Sequence, residues 1–128
     1  TVFPLAIDLP MTPGRSGYTY RTFETIRQLR RDPAFRGVHC SLGISNAARD
    51  LPGRKIGVCR AYLDLARAYG LDAAIVNVFH EYGRKPAASE LVEFVAAFAA
   101  QDGSPEAGER VIRRMKGFCE ANRKVRTS

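Results

Sequence analysis

No stretch of this sequence holds the roughly 18 consecutive apolar residues that a membrane-spanning helix needs, and its opening residues lack the pattern of a secretory signal. A membrane partner is therefore not expected. Cysteine is scarce: Cys40, Cys59 and Cys119 are odd in number and show no C-x-x-C spacing. That excludes a disulfide framework and a zinc site, and points to a reducing, cytoplasmic compartment. The two histidines, His39 and His80, are not spaced as metal ligands. There is no P-loop, no G-x-G-x-x-G and no G-x-S-x-G, which removes the commonest nucleotide-phosphate, dinucleotide and serine-hydrolase sites.

What is present is a 128-residue chain, of one-domain length, with 45% hydrophobic residues and a net charge of +7. Arginine far outnumbers lysine, and such an excess of positive charge suits phosphate contacts. Here the arginines are dispersed over every expected helix and loop, with no basic run and no nucleic-acid-binding motif. A solvated surface, an anionic cofactor or an acidic protein partner is the better expectation, with no nucleic acid.

The chain opens without methionine on Thr1-Val2-Phe3-Pro4-Leu5-Ala6-Ile7-Asp8, which reads as a strand ending at Asp8 and suggests a fragment of a longer protein. Pro10 to Gly17 holds two prolines and two glycines, the composition of a loop. Tyr20, Phe23, Ile26 and Leu29 recur at helical spacing up to Asp32-Pro33. Val38 to Asn46 reads as a buried parallel strand with His39 in its middle as a structural residue. Asp50 is then a helix cap, with Pro52 in the first turn and Ile56, Cys59, Leu63 and Ala66 as an apolar stripe closing at Gly70. Ala73 to Val78 is a further buried strand. Pro86 opens a helix with Leu91, Phe94, Val95 and Phe98 on one face, and Ser104-Pro105 starts a last helix with Val111, Ile112, Met115 and Phe118. All three cysteines fall at apolar positions, as small core residues.

Alternation of strands and helices gives an α/β chain built from right-handed βαβ units. In such folds ligands sit at the carboxyl ends of the strands. That makes Ser45 and Asn46, after the central strand, and Asn77 and His80, after the last, candidate site residues, with Asp8 at the end of the first. The carboxamide of Asn46 both donates and accepts, so it suits a heterocycle edge whose protonation changes; the plain alternative is a side chain that only caps its own loop. Arg54 and Lys55 could meet carboxylates or simply face solvent at a helix start. His80 could be an acid or base, or a hydrogen-bonded surface residue.

Three segments carry a resemblance: Leu42-Gly43-Ile44-Ser45-Asn46, then Leu51-Pro52-Gly53-Arg54-Lys55, then Gly70-Leu71-Asp72-Ala73-Ala74-Ile75. In this order and spacing they resemble the last part of the pterin-binding methyltransferases. These are the methyltetrahydrofolate:corrinoid protein methyltransferases, related to the folate module of cobalamin-dependent methionine synthase and to dihydropteroate synthase. The resemblance implies the C-terminal three βα units of a (β/α)8 TIM barrel over residues 1–122, with an extra C-terminal helix and a basic tail at 123–128. It implies a methyltransferase that moves a methyl group between tetrahydrofolate, or methyltetrahydrofolate, and a corrinoid (cobalamin) on a partner protein. Asn46 would then be the catalytic contact, with Asp8, Ser45 and Asn77 as further pterin contacts. Two alignments compete for the family's aspartate, one placing Phe3 there and one Asp8, and of the two only Asp8 could accept hydrogen bonds from the amino-pyrimidine edge. The synthase's Ser-x-Arg-x-His motif is absent after Asn77, which favours the methyltransferase. Partners implied are the corrinoid protein and either the missing N-terminal part of the barrel or a second copy as a homodimer. The alternative is a non-catalytic truncated α/β module that binds a partner chain.

Overall fold

The structure, a computed structural model, describes residues 16–123. The strand expected at the start, with Phe3 and Asp8, lies outside the described residues. Within them the chain is α/β and mostly helical: α1 (Tyr18–Arg31), β1 (Ser41–Gly43), α2 (Lys55–Tyr69), β2 (Ala73–Ile75), α3 (Ser89–Ala99) and α4 (Pro105–Ala121). Short 3-10 turns cover Pro33–Phe35, Ser45–Ala48 and Val78–His80.

Local chemistry explains where the helices stop. The Asp32 carboxylate turns from α1 to accept the Ala34 N–H at 2.9 Å, ahead of Pro33. Gly70 closes α2 with φ +118, a conformation that suits glycine and returns its N–H to the last turn. Ser104 caps α4 by accepting the Ala107 N–H, with Pro105 in the first turn. Two helix starts differ from the sequence expectation. Helix α2 begins at Lys55, with Arg54 in the left-handed region at φ 52 in place of an Asp50 cap, and α3 begins at Ser89, after Pro86. The Arg54 side chain pairs with Glu90 on α3 at 2.6 Å, a partner too distant in sequence to foresee.

Strands β1 and β2 pair in parallel, Ser41 opposite Ala73 and Gly43 opposite Ile75. Both are shorter than the expected runs of 38–46 and 73–78, because Ser45–Ala48 and Val78–His80 coil into 3-10 turns as soon as the pairing ends. Cys40, Leu42 and Ile44 alternate into the helical layer and are buried, whereas Ile75 on the opposite face of the sheet is 73% exposed. His39 is not a strand residue; it precedes β1 and its side chain is exposed.

The core lies between the sheet and the helices, with Phe23 and Ile26 from α1, Val58 and Tyr62 from α2, Val95 and Phe98 from α3, and Val111 from α4. Each such aliphatic or aromatic side chain contributes about 1.5–3 kcal/mol by leaving water. Phe23 packs against Tyr62 at 4.9 Å between ring centroids, and Phe94 stacks on Phe118 at 4.5 Å. Ile56 and Ile112, placed on apolar stripes by spacing, are exposed instead. Cys40 and Cys59 are buried, and Cys119 only partly so.

Helix α3 packs mainly against α2, and to a lesser and equal extent against α1 and α4. Gly57 on α2 makes room for it, since a Cβ there would stand 2.6 Å from Leu91 Cδ1. The outer edge of β2 is thereby left without a covering helix among the described residues.

Candidate functional site

Where β1 and β2 end, the chain leaves the sheet in two 3-10 turns, and between them opens a groove of about 420 Å³ lined by Gly43, Ile44, Ser45, Asn46, Ile75, Val76 and Asn77. Three of the sequence candidates, Ser45, Asn46 and Asn77, thus stand on the walls of one groove at the carboxyl ends of parallel strands. Its lining mixes apolar and polar side chains, as sites for organic ligands do.

The three differ in how committed their side chains are. Asn77 accepts the Phe79 N–H at 3.0 Å and so caps the turn after β2. Asn46 is exposed, and its carboxamide has no hydrogen-bond partner among the described residues; only its backbone carbonyl is used, by the Arg49 N–H. The capping role weighed for Asn46 is thus filled in this structure by Asn77. Ser45 is exposed and lines the groove.

Behind Ser45 lies a polar cluster that sequence reasoning missed. Tyr82 is buried, and its hydroxyl stands 2.8 Å from His80 Nδ1. Cys59 of α2 also bears on this hydroxyl, while its thiol donates to the Ile44 carbonyl at 3.6 Å. Arg60, one residue on, donates from Nε and Nη2 to the His80 carbonyl at 3.2 and 2.9 Å. Burial pushes both the Tyr82 hydroxyl and the Cys59 thiol up from their ordinary pKa values, so both stay neutral at pH 7. His80, a candidate from the sequence, does not line the groove; its ring meets Tyr82 instead.

Arg54 and Lys55 do not line the groove. Arg54 pairs with Glu90, and Lys55 donates to the Arg49 carbonyl at 2.9 Å. The other end of the sheet holds a second cluster. Asp72 accepts from His39 Nδ1 at 2.6 Å and from the Cys40 N–H at 2.7 Å, and pairs with Arg30 at 3.0 Å. Arg30 also donates to the carbonyls of Gly70 and Val38, both at 2.7 Å. The His39 hydrogen bond first, then the Cys40 amide, holds the Asp72 carboxyl down at about 2.

Asp8, the acidic candidate, lies outside the described residues. Among the described residues no group of three metal-binding side chains comes together, and no helix is long and apolar enough to cross a membrane. No family model, no curated protein and no solved structure matches the chain.

Proposed function

We propose that this chain is the C-terminal part of a pterin-binding (β/α)8 barrel that moves a methyl group between tetrahydrofolate and a corrinoid protein. The observation that carries the reading is the juxtaposition of Ser45, Asn46 and Asn77 around one groove at the strand ends, on the segments that resemble the methyltransferases. The residues present fit a pterin in kind: amides and a hydroxyl to meet its polar edge, with Gly43, Ile75 and Val76 for its flat face. The corrinoid of the partner protein supplies the cobalt that exchanges the methyl group. Asn46 holds the pterin in register, and its uncommitted amide follows the change of protonation at the reacting nitrogen, donating to it or accepting from it.

Equilibrium binding of methyltetrahydrofolate to the wild type and to Asn46→Ala tests the reading. Affinity should fall about tenfold, the effect of removing a hydrogen bond worth roughly 1.5 kcal/mol, with thermal melting unchanged. Wild-type affinity in the variant, or no binding by either protein, overturns it.

A second reading, a non-catalytic module that binds another chain, is favoured by one observation. Ile75, Val78 and Phe79 are 73, 71 and 90% exposed beside the uncovered edge of β2. The ladder bonds of Ala73 and Ile75 point toward β1, so the backbone groups of Ala74 and Val76 face away from it. The rest of a barrel or a second copy of this chain would fit there. Under this reading sedimentation shows self-association or capture of the N-terminal part that Phe79→Asp abolishes; a stable monomer that binds no apolar dye counts against it.

A further inference from the structure

We infer that the groove between α3 and α4 is a docking site for an acidic segment of a partner protein, one that seats a single large apolar side chain between carboxylates. This groove holds about 280 Å³ and shares no lining residue with the groove at the strand ends. Nor does it include Ile75, Val78 or Phe79 beside β2, so the inference goes beyond both readings above.

Its buried lining is apolar and its exposed lining cationic. Leu91, Phe94 and Phe118 line it and are buried, the two rings stacked at 4.5 Å with 18° between their planes. Arg113 and Arg114 also line it; both are exposed, and neither guanidinium has a hydrogen-bond or ion-pair partner among the described residues. Arg54 adds a third cation, but Glu90, the only carboxylate among these lining residues, answers it at 2.6 Å. Two positive charges are thus left over beside an apolar seat.

Gly117 points the same way. Glycine weakens a helix relative to alanine, so one inside a helix calls for a packing reason. The other two helical glycines have one: a Cβ at Gly57 would stand 2.6 Å from Leu91 Cδ1, and one at Gly108 would stand 3.4 Å from Gln101 Nε2. A Cβ at Gly117 would meet nothing within 4 Å, although Gly117 lies in α4 and lines the groove. No described residue uses the space that Gly117 leaves open. A partner segment lying across α4 does.

Charge and size choose the occupant. Sites for whole cofactors or substrates run to about 300–1,000 Å³, and a pocket below that range suits the anchor side chain of a protein segment. Nucleic acid would neutralise the arginines, yet its bases stack on exposed rings, and Phe94 and Phe118 are only 4% and 8% exposed. A second copy carries the same net charge of +7, and the chain's own end brings Lys124 and Arg126, so both would meet the arginines with like charge. An acidic segment is complementary: its carboxylates pair with Arg113 and Arg114 while its apolar anchor leaves water against Leu91, Phe94 and Phe118.

Fluorescence anisotropy tests this with a labelled synthetic peptide that has one phenylalanine flanked by glutamates, and with the same peptide carrying alanine instead. The full chain should bind the first peptide, more weakly as salt rises, and the alanine peptide at least about tenfold more weakly. Gly117→Leu fills the groove where a Cβ clashes with nothing, so it should keep or raise the melting temperature and lower peptide affinity by about tenfold. Arg113→Glu combined with Arg114→Glu, both at exposed positions, should lower it by roughly as much, which keeps the site testable if Gly117→Leu fails to fold. Absence of binding overturns the proposal. Equal binding of the two peptides, or binding unmoved in a folded Gly117→Leu, also overturns it, because attraction by charge alone needs no seat. Three further results would give the groove to another occupant and overturn the proposal as well. These are tighter binding of a single-stranded oligonucleotide that the arginine reversals abolish, self-association in sedimentation that Gly117→Leu removes, and peptide binding that appears only once residues 124–128 are deleted.

Discussion

The two ends of the parallel strand pair are built differently. At the amino ends one carboxylate, Asp72, gathers His39, the Cys40 amide and Arg30, and Arg30 ties in Gly70 and Val38. At the carboxyl ends the Asn46 amide is uncommitted among the described residues, Asn77 caps only its own turn, and an open groove separates the turns. A closed polar cluster costs little to keep and stabilises the strand starts. Polar groups held at a rim without protein partners contribute little to folding, which leaves them available to a ligand. Polarity alone therefore does not mark the site; what distinguishes it is the carboxamide of Asn46, which no described residue engages.

This contrast can be broken at either end. The largest effect is expected at the open end. Under the proposed function, Asn46→Ala in a longer chain that completes the proposed barrel should lower methyl transfer to cob(I)alamin, followed by cobalt absorbance, by roughly 10²- to 10⁴-fold. Its stability should fall by about 1 kcal/mol or less, since no buried bond is lost. A variant that simply unfolds would show that the carboxyl end is structural after all.

At the closed end the effects should reverse. Gly70→Ala must place a side chain at φ +118, with its Cβ 2.5 Å from Arg30 Cγ. It should cost about 1–3 kcal/mol in urea unfolding and leave ligand binding unchanged. Loss of binding without loss of stability would mean that the two ends are coupled.

A smaller effect with a defined pH window is expected for Asp72→Asn. The Asp72 carboxyl titrates at about 2 in the fold against an ordinary value of 3.8. A depressed folded value means the bond network stabilises above the unfolded value and is lost as pH falls through the folded one. Wild type should thus exceed the variant in stability at neutral pH, with the gap narrowing below about pH 4 and closing near pH 2. A gap independent of pH would remove the charge of Asp72 from the clasp.

The smallest difference concerns the packing beneath both ends. Cys40 lies under the closed end and Cys59 under the groove, both buried, while Cys119 is partly exposed on α4. A thiol reagent should label Cys119 first, and Cys40 and Cys59 only as the chain unfolds. Early labelling of Cys59 alone would show that the groove opens into the core.

Helices α1, α2 and α4 were legible because their signals are local: an apolar period of 3.6, Asp32-Pro33 and Gly70 as stops, Ser104-Pro105 as a start. The candidate groove was legible in part, since Ser45, Asn46 and Asn77 were placed by the rule that ligands meet strand ends. Strand lengths were not, because an apolar run such as 38–46 becomes a strand only where a neighbour pairs with it, and the pairing covers three residues. Nor could spacing tell that Ile56 and Ile112 face solvent, since periodicity defines a stripe but not its width.

By itself the amino-acid sequence determined the alternation of helices and strands, the stops and caps, and which polar residues stand just beyond the strands, all of them properties of neighbouring residues along the chain. Only the tertiary structure decided that His39 answers Asp72 across 33 positions, that Arg54 pairs with Glu90 across 36, and that Arg60 reaches the His80 carbonyl across 20. Those are distances between segments remote in sequence, and they exist only once β1 and β2 have paired and α2 has packed behind them.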